Sequence, residues 1–489
     1  MKNSLKYIYI FLPLALLLHA CGSASDTITV VQDAPRTERV QETEDEEIFH
    51  EITIGLIDPV TNFDPLFARN LSTQRILSLI YEGLFSLDNS GEPVPALVKE
   101  TELSDDNLIY TFTIDRERFF HDSSIFTAGI GRRVHAGDVK WALERSARSD
   151  VPPRASELLM NIRGFENFYL EQRNVYDIDS RVLSDVSGIQ VLDAETVQIQ
   201  LIEPDPDFLK KLASPNLFIY PREAVINNPA GIERNPIGTG HYTFNRVESN
   251  GQIVLVRNTL ENEVEMPVIN RIHAVSFSSE SELFQQFARG DIDWIPETGP
   301  EIIFQTTTEN YELQAAYRDS FRITAHEANR INAFYINNRS GVDQRWLKSR
   351  LALLTPEDFR SRGIITLNTE LFELDEEAEM REEYFLSFTD DIIAKTILTE
   401  LHSLAFQPES SLVFFDIRVP TRQTSIFSSE STSYRQQFDP IPDNYWLRID
   451  TKIVSLYNDR ISGIEPTMAP WALNIGSIRI RNGDVSSAQ

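Results

Sequence analysis

The amino-acid sequence predicts an α/β (α+β) protein, because strand and helix patterns alternate along the chain. Residues 106–115 alternate apolar and polar side chains, which is typical of a half-buried strand. Residues 188–200 and 235–258 each have the pattern of a two-stranded hairpin. Residues 279–289 carry a helical apolar stripe, and Gly290 follows where that helix is expected to end.

Several elements carry signals for their ends. A helix follows residue 70, and Ser72 is its predicted N-cap. A second helix has Asp138 as its predicted N-cap. The turn at Gly238 and Gly240 is expected to use positive φ, which glycine adopts without steric cost.

The N-terminus has the three-part plan of a secretory signal. Lys2 and Lys6 precede an apolar run, and small residues follow it. The run is too short to span a membrane, which takes about 20 residues. Residues 18–21, Leu-His-Ala-Cys, resemble the bacterial lipoprotein motif, whose cysteine is acylated and becomes the first mature residue. We predict a lipoprotein signal peptide at 1–20 and lipidation at Cys21; an ordinary secretory signal is the alternative.

The segment 21–47 is predicted to be a lipid-anchored flexible linker. It is small and polar, then acidic, and it has no helical or strand period. The folded part is expected to begin near residue 48. The remaining chain, about 440 residues, is too long for one simple core, so two or three subdomains are expected.

The chain is acidic, with 74 Asp and Glu against 45 Lys and Arg and a net charge of −29. Such a charge repels nucleic acid and anionic lipid headgroups, so neither is an expected partner. Cys21 is the only cysteine in the sequence. Once acylated, the chain has no thiol for a disulfide, a metal site or nucleophilic catalysis.

The sequence has no His-Glu-x-x-His, no Gly-x-Ser-x-Gly and no phosphate-binding loop. His121 and Asp122 would suit a base and its orienting carboxylate, but a structural role is the preferred interpretation. His326 lacks a second histidine at position 330, where Arg330 stands, so it does not form a helical zinc pair. We therefore predict no enzyme activity, no catalytic residue, no metal site and no cofactor.

Seven segments in a fixed order resemble the extracytoplasmic solute-binding proteins of the peptide/nickel family, which serve ABC importers. The resemblance covers about 49–350 well and 445–482 moderately. An insertion at 123–134 and most of 355–440 depart from the family pattern. Its clearest segments are NFDPLFARN, LIYEGLFSLDNSGEPVPALVKE, YTFTIDRERFFHDSSIF with VHAGDVKWALER, LFQQFARGDIDW and YNDRISGIEPTMAPWALNIGSIRI.

The resemblance implies a two-lobed periplasmic-binding-protein-like fold with a hinge and an interlobe cleft. The chain would form lobe one at 48–275, with a small extra subdomain at 90–190. It would then form lobe two at 276–454 and return to lobe one at 455–489.

The resemblance also implies a substrate-binding lipoprotein that captures dipeptides or oligopeptides and delivers them to an ABC permease in the inner membrane. Its expected location is the periplasm or cell envelope, and a monomer is expected. A sugar or nickel-chelate ligand stays open, and so does an interaction lipoprotein that kept the fold but lost transport.

Four residues of the second lobe are candidates for ligand contact. Asp416 and Arg418 lie two apart, on one face of a strand. In this family an Asp is expected to bind the peptide ammonium and an Arg its carboxylate, as charge-assisted pairs. Tyr445 and Trp446 are expected to line the cleft. A solvated strand end for the first pair and core packing for the second are the alternatives.

Overall fold

The computed structural model describes most of the chain from residue 49 onward, and these residues belong to one compact unit, 41–489. Side chains are described at 49–259, 267–299, 301–308, 310–326 and 452–481. The backbone alone is described for five further strands, at 332–335, 366–370, 385–387, 414–416 and 445–451.

The strands of the described residues are, in chain order, β1 (Glu51–Leu56), β2 (Phe85–Leu87), β3 (Pro93–Pro95), β4 (Val98–Leu103), β5 (Ile109–Ile114), β6 (Ile189–Val191), β7 (Thr196–Gln200), β8 (Tyr242–Val247), β9 (Ile253–Arg257), β10 (Arg271–Ser276), β11 (Trp294–Ile295), β12 (Phe321–His326), β13 (Asn332–Tyr335), β14 (Thr366–Glu370), β15 (Phe385–Ser387), β16 (Phe414–Asp416), β17 (Tyr445–Thr451), β18 (Ile453–Asn458), β19 (Ile461–Ser462) and β20 (Arg479–Ile480).

The α-helices of the described residues are α1 (Leu71–Ile80), α2 (Ala136–Arg145), α3 (Arg154–Glu157), α4 (Phe165–Asn174), α5 (Phe208–Leu212), α6 (Glu223–Ile226), α7 (Glu280–Arg289) and α8 (Pro300–Thr306). Short 3-10 helices lie at Pro65–Phe67, Thr127–Gly129, Ile178–Ser180 and Pro215–Leu217.

The main sheet has seven strands in the order β12-β18-β11-β1-β10-β9-β8. Strand β1 is parallel to both of its neighbours, β10 and β11. Strand β18 is antiparallel to β11 and to β12, so β12 runs in the same direction as β1 and β11. The carboxyl ends of β1, β10, β11 and β12 therefore lie at one edge, which we call the carboxyl edge.

The main sheet draws on parts of the chain that were assigned to different lobes. Strands β11 and β12 lie within 276–454, yet they pair in the same sheet as β1. The lobe boundaries stay a prediction.

A second, antiparallel sheet of four strands has the order β4-β5-β7-β6. Tyr110, Phe112 and Ile114 of β5 are buried, as the alternating pattern predicts. The hairpins at β6–β7 and β8–β9 are also confirmed. One apolar core joins this sheet to the main sheet, with Ile54 and Ile80 buried in it together with Phe112.

Two segments of the chain contribute strands to both the main sheet and a third one. Strand β12 pairs antiparallel with β18, ending at His326 opposite Ile453. Beyond them β13 pairs antiparallel with β17, beginning at Asn332 opposite Ile449. Strand β12 leaves the main sheet at its carboxyl edge, so this edge is where the chain departs towards the third sheet, β13-β17-β14.

Both predicted helix caps were wrong by two or three residues. Helix α1 is capped by Asn70, whose side-chain oxygen accepts from the Thr73 N–H at 2.7 Å. The Ser72 hydroxyl instead accepts from the Asp58 N–H at 3.3 Å. Helix α2 has His135 at the N-cap, and Asp138 lies inside the first turn and accepts from the His135 N–H at 3.0 Å. A carboxylate in the first turn also suits the helix dipole.

The glycines at 238 and 240 are required for space, and the predicted positive φ is not observed at either. A Cβ on Gly238 would lie 2.1 Å from the Ile80 carbonyl oxygen, and one on Gly240 would lie 2.6 Å from that of Leu79. Gly290, in contrast, ends α7 with a φ of +85°, as predicted.

Candidate functional site

The carboxyl edge of the main sheet gathers ionisable side chains from separate parts of the chain. Asp58 follows the end of β1, and Glu297 follows the end of β11. His326 is the last residue of β12. In open α/β sheets ligands bind outside the carboxyl ends of the parallel strands. We call Asp58, Arg75, Glu297 and His326 the edge cluster.

Arg75 is the cation at the centre of the edge cluster. Its Nη1 lies 2.9 Å from Glu297 Oε2, and both side chains are almost fully buried, at 3% and 5% exposure. Its Nε donates to the Pro470 carbonyl oxygen at 3.1 Å. Burial lowers the pKa of Arg75 to about 9, and the nearby Asp58 charge opposes that fall. Arg75 thereby ties α1 to the segments after β11 and β18.

Local sequence places Arg75 and Glu297 on well-anchored segments. Asn70 starts α1, and the apolar residues Ile76, Leu77 and Ile80 of that helix face the core. Arg75 is buried beside them, so its charge must be met inside the protein. The segment that carries Glu297 is fixed to β18, because the Thr298 N–H and hydroxyl both donate to the Val454 carbonyl, at 2.8 and 3.0 Å.

His326 lies where the chain leaves β12. Burial lowers its pKa, and the positive charge of Arg75 acts in the same direction, while a hydrogen bond with the backbone of Thr467 opposes both. The imidazole is therefore neutral at pH 7, where its ordinary pKa of 6.5 would already leave it mostly so. The edge cluster then holds one cation, Arg75, against two carboxylates.

Glu280 is a further buried carboxyl group at the carboxyl edge, at the start of α7 after β10. Its Oε2 accepts from the Ile302 N–H at 3.1 Å, in the first turn of α8. Burial raises its pKa to about 7, and Glu301 adds to the rise. A carboxyl group with this pKa changes its charge near neutral pH.

His121 has the structural role that the sequence favoured. Its Nδ1 accepts from the Gly238 N–H at 3.4 Å, so the proton lies on Nε2, which donates to the Gly240 carbonyl at 2.8 Å. Burial lowers its pKa to about 4. The Asp122 side chain accepts from the Gly131 N–H at 2.7 Å. Both ring nitrogens of His121 are thus used to hold the backbone of the glycine turn.

The predicted ligand residues fall on different parts of the structure. Asp416 ends β16, where it pairs with Ser387 of β15. Tyr445 and Trp446 begin β17, the strand that leads directly into β18. Arg418 and Cys21 lie outside the described residues. Ligand contact by these side chains stays a prediction.

The sequence-based prediction missed the edge cluster. Its members are far apart in the chain, and the shared direction of β1, β11 and β12 brings the residues after those strands together around Arg75 of α1. One signal was present. Arg75 places a charged side chain on the buried face of α1, and the other buried residues of this helix are uncharged. A charged residue on such a face predicts a buried partner, although its identity could not be read from spacing.

The described residues contain neither a membrane-spanning helix nor a metal-binding cluster. No helix there is long and apolar enough to cross a bilayer. No group of three or more His, Cys, Asp or Glu side chains in the same part of the chain is arranged to hold a metal ion.

Comparison with solved structures identifies the fold as that of periplasmic binding proteins. The murein tripeptide binding protein MppA of Escherichia coli aligns with a TM-score of 0.64 and 15% identity, covering 88% of this chain and 99% of that one. Peptide-bound OppA of Listeria monocytogenes aligns with a TM-score of 0.65 and 11% identity, covering 89% of this chain and 99% of that one. The predicted two-lobed α/β fold is confirmed.

The sequence comparisons define the family. The model of the bacterial extracellular solute-binding proteins, family 5 (middle part) matches residues 92–352, more than half of the chain, and the chain belongs to this family. MppA of Escherichia coli K12 is 27% identical over 259 residues, 52% of this chain and 44% of that protein. Dipeptide-binding protein DppE of Bacillus subtilis is 24% identical over 235 residues, 48% of this chain and 40% of that protein. These matches span less than half the length of either relative.

Proposed function

We infer that this chain is the substrate-binding component of an ABC importer, which captures dipeptides or oligopeptides between two lobes and passes them to a permease in the inner membrane. In this proposal Cys21 carries the lipid, the protein works as a monomer in the periplasm or cell envelope, and it catalyses no reaction.

One observation carries the mechanical part of the proposal. Two segments of the chain, 321–335 and 445–458, each contribute one strand to the main sheet and one to the third sheet, as the antiparallel pairs β12–β18 and β13–β17. Two connections between the same two sheets allow rotation about them while both sheets stay intact, which is how hinged binding proteins close on ligand. The connections begin at the carboxyl edge, so ligand bound there would lie beside the hinge.

The names of the sequence relatives support peptide as the ligand class. MppA is a murein peptide-binding protein, DppE binds dipeptides and OppA of Salmonella typhimurium binds oligopeptides. The fold alone does not select the ligand. NikZ of Campylobacter jejuni, crystallised with Ni(L-His), aligns at a TM-score of 0.60 with 14% identity.

Native mass spectrometry of the soluble protein beginning at Ser23, purified from its own host, tests the ligand class. Bound peptides of mixed mass that leave on denaturation are the expected result. The rise in melting temperature with di- to pentapeptides, sugars and nickel–histidine then ranks these three classes of ligand. A protein that is empty and gains stability from none of them would contradict import and favour an interaction lipoprotein.

A further inference from the structure

The loop after α4 exposes apolar side chains to an unusual degree. We call residues 175–183 the apolar loop. Tyr176, Ile178 and Val182 are 92%, 72% and 87% exposed, and Leu183 is 39% exposed. Leu170 of α4, on the same helix-loop unit, is 46% exposed. Single exposed apolar residues are normal, but a concentration of large ones within one short segment marks an interaction surface.

Polar contacts hold the apolar loop in this conformation. The Glu171 carboxylate accepts from the N–H groups of Val182 and Leu183, at 2.8 and 2.9 Å. Arg181 donates from Nε to the Val175 carbonyl at 3.1 Å, and from Nη2 to the Gln172 carbonyl at 3.1 Å. These contacts hold the backbone of the apolar loop against α4 and leave its apolar side chains exposed. A loop ordered in this way keeps those side chains available to a partner.

The charge around the apolar loop is negative. Residues 165–185 contain five acidic and two basic residues. Both basic groups are engaged locally, since Arg181 binds α4 and Arg173 lies over the Tyr169 ring at 4.5 Å and donates to the Val151 carbonyl. Lys140 of α2 lies 2.9 Å from Asp185 and offsets that carboxylate, so the negative charge of the loop itself is that of Asp177 and Asp179. Asp177 and Asp179 alternate with Tyr176 and Ile178 and are exposed. A complementary surface must therefore be apolar and basic.

This charge argues against three other occupants. An anionic lipid surface would be repelled by the loop and by a chain of net charge −29. A second copy would bring the same carboxylates face to face. The acidic run at 42–47 of this chain, ETEDEE, would meet like charge as well. We propose that the apolar loop docks a protein partner whose contact surface combines apolar side chains with Lys or Arg.

Photo-crosslinking in host cells tests this inference independently of peptide capture. A benzophenone amino acid replaces Ile178 in the full chain, and the matched control carries it at Ile226, which is 56% exposed elsewhere on the protein. The expected result is one discrete protein adduct at 178 and none at 226, with the crosslinked peptide of the partner rich in apolar and basic residues. Tyr176→Ser and Asp179→Lys, each combined with the probe at 178, should lower the adduct yield about tenfold.

Three outcomes would overturn the inference. They are equal adducts at 178 and 226, a lipid or self-adduct at 178, and a yield that Asp179→Lys raises or leaves unchanged. Neither substitution removes a contact that orders the loop, because Glu171 binds backbone N–H groups and Arg181 is untouched. Circular dichroism and the melting temperature of each variant confirm that folding is intact.

Discussion

The Arg75 guanidinium and the Glu297 carboxylate form a buried ion pair at 2.9 Å that joins helix α1 to the segment after β11. The two residues are more than two hundred positions apart, and Arg75 also binds the Pro470 carbonyl. Three parts of the chain are thus fixed to one another at the carboxyl edge, beside the strands that lead to the third sheet. The pair makes this edge a rigid base for the proposed hinge.

Glu297→Gln is expected to destabilise the protein by about 3 kcal/mol, because it leaves the buried Arg75 charge without its carboxylate partner. Urea unfolding at pH 7 measures the change in the free energy of unfolding. Arg148→Ala is the control, since its pair with Asp150 is about half exposed on both sides and contributes about 0–1 kcal/mol. Equal effects of the two substitutions would contradict a structural role for the buried pair.

Glu280→Gln is expected to stabilise the protein at pH 8 and to have little effect at pH 5. The pKa of Glu280 rises from 4.5 to about 7 on folding. Between these values the folded state binds more protons than the unfolded state, so the free energy of unfolding falls as pH rises and stays low above pH 7. The amide of the variant does not ionise, so at pH 8 the free energy of unfolding of the variant is about 1–3 kcal/mol higher than that of the wild type.

Thermal melts of wild type and Glu280→Gln across pH 5–8 check this expectation. Glu282→Gln, on an exposed position of the same helix, is the control and should follow the wild-type curve. If Glu280→Gln lowers the melting temperature at pH 8, the carboxylate form stabilises the α7–α8 contact and the expected sign is wrong.

Gly238→Ala should cost about 2 kcal/mol or more, because the new Cβ would meet the Ile80 carbonyl oxygen, a backbone atom that cannot move aside. Gly137→Ala is the matched control. A Cβ at Gly137, in the first turn of α2, has no atom within 4 Å, so alanine is expected to stabilise by about 0.4–1 kcal/mol. Differential scanning calorimetry that found both substitutions neutral would argue against the close approach.

Cys21→Ser should leave folding intact and move the protein from the membrane fraction to the soluble fraction, because in the proposed function the acyl chains on Cys21 are the membrane anchor. Carbonate extraction followed by immunoblotting measures the distribution, with Ser23→Ala as the control. A Cys21→Ser protein that stays with the membranes would remove lipidation from the proposal.

Asp416→Ala should weaken binding of a peptide with a free amino terminus about tenfold, through loss of a charge-assisted hydrogen bond, with little change in melting temperature. Asp105→Ala, at an exposed position of the β4–β5 turn, is the control. Calorimetric titration with the free peptide and its N-acetylated form shows whether Asp416 acts through the amino terminus of the peptide. Equal affinities of wild type and variant for the free peptide would exclude Asp416 from the site.

Local pattern determined much of the fold. The alternation in β5, the two hairpins and the glycine that ends α7 were all predicted, because each depends on side chains within a few residues of one another. The order of several weak segments also predicted the family and its two-lobed fold. Helix starts were less certain: Ser72 and Asp138 have the right chemistry for caps, and only the path of the preceding chain makes Asn70 and His135 the actual ones.

Tertiary structure alone decided what lies at the carboxyl edge. Glu297 and His326 lie near Arg75 of α1 because β11 and β12 run in one direction within one sheet, and no spacing in the sequence encodes that order. The same sheet also joins β11 and β12 to β1, a pairing that local pattern does not predict, and the lobe boundaries stay a prediction. Short-range periodicity defines each element, whereas the pairing of distant strands depends on the free energy of the whole packed core.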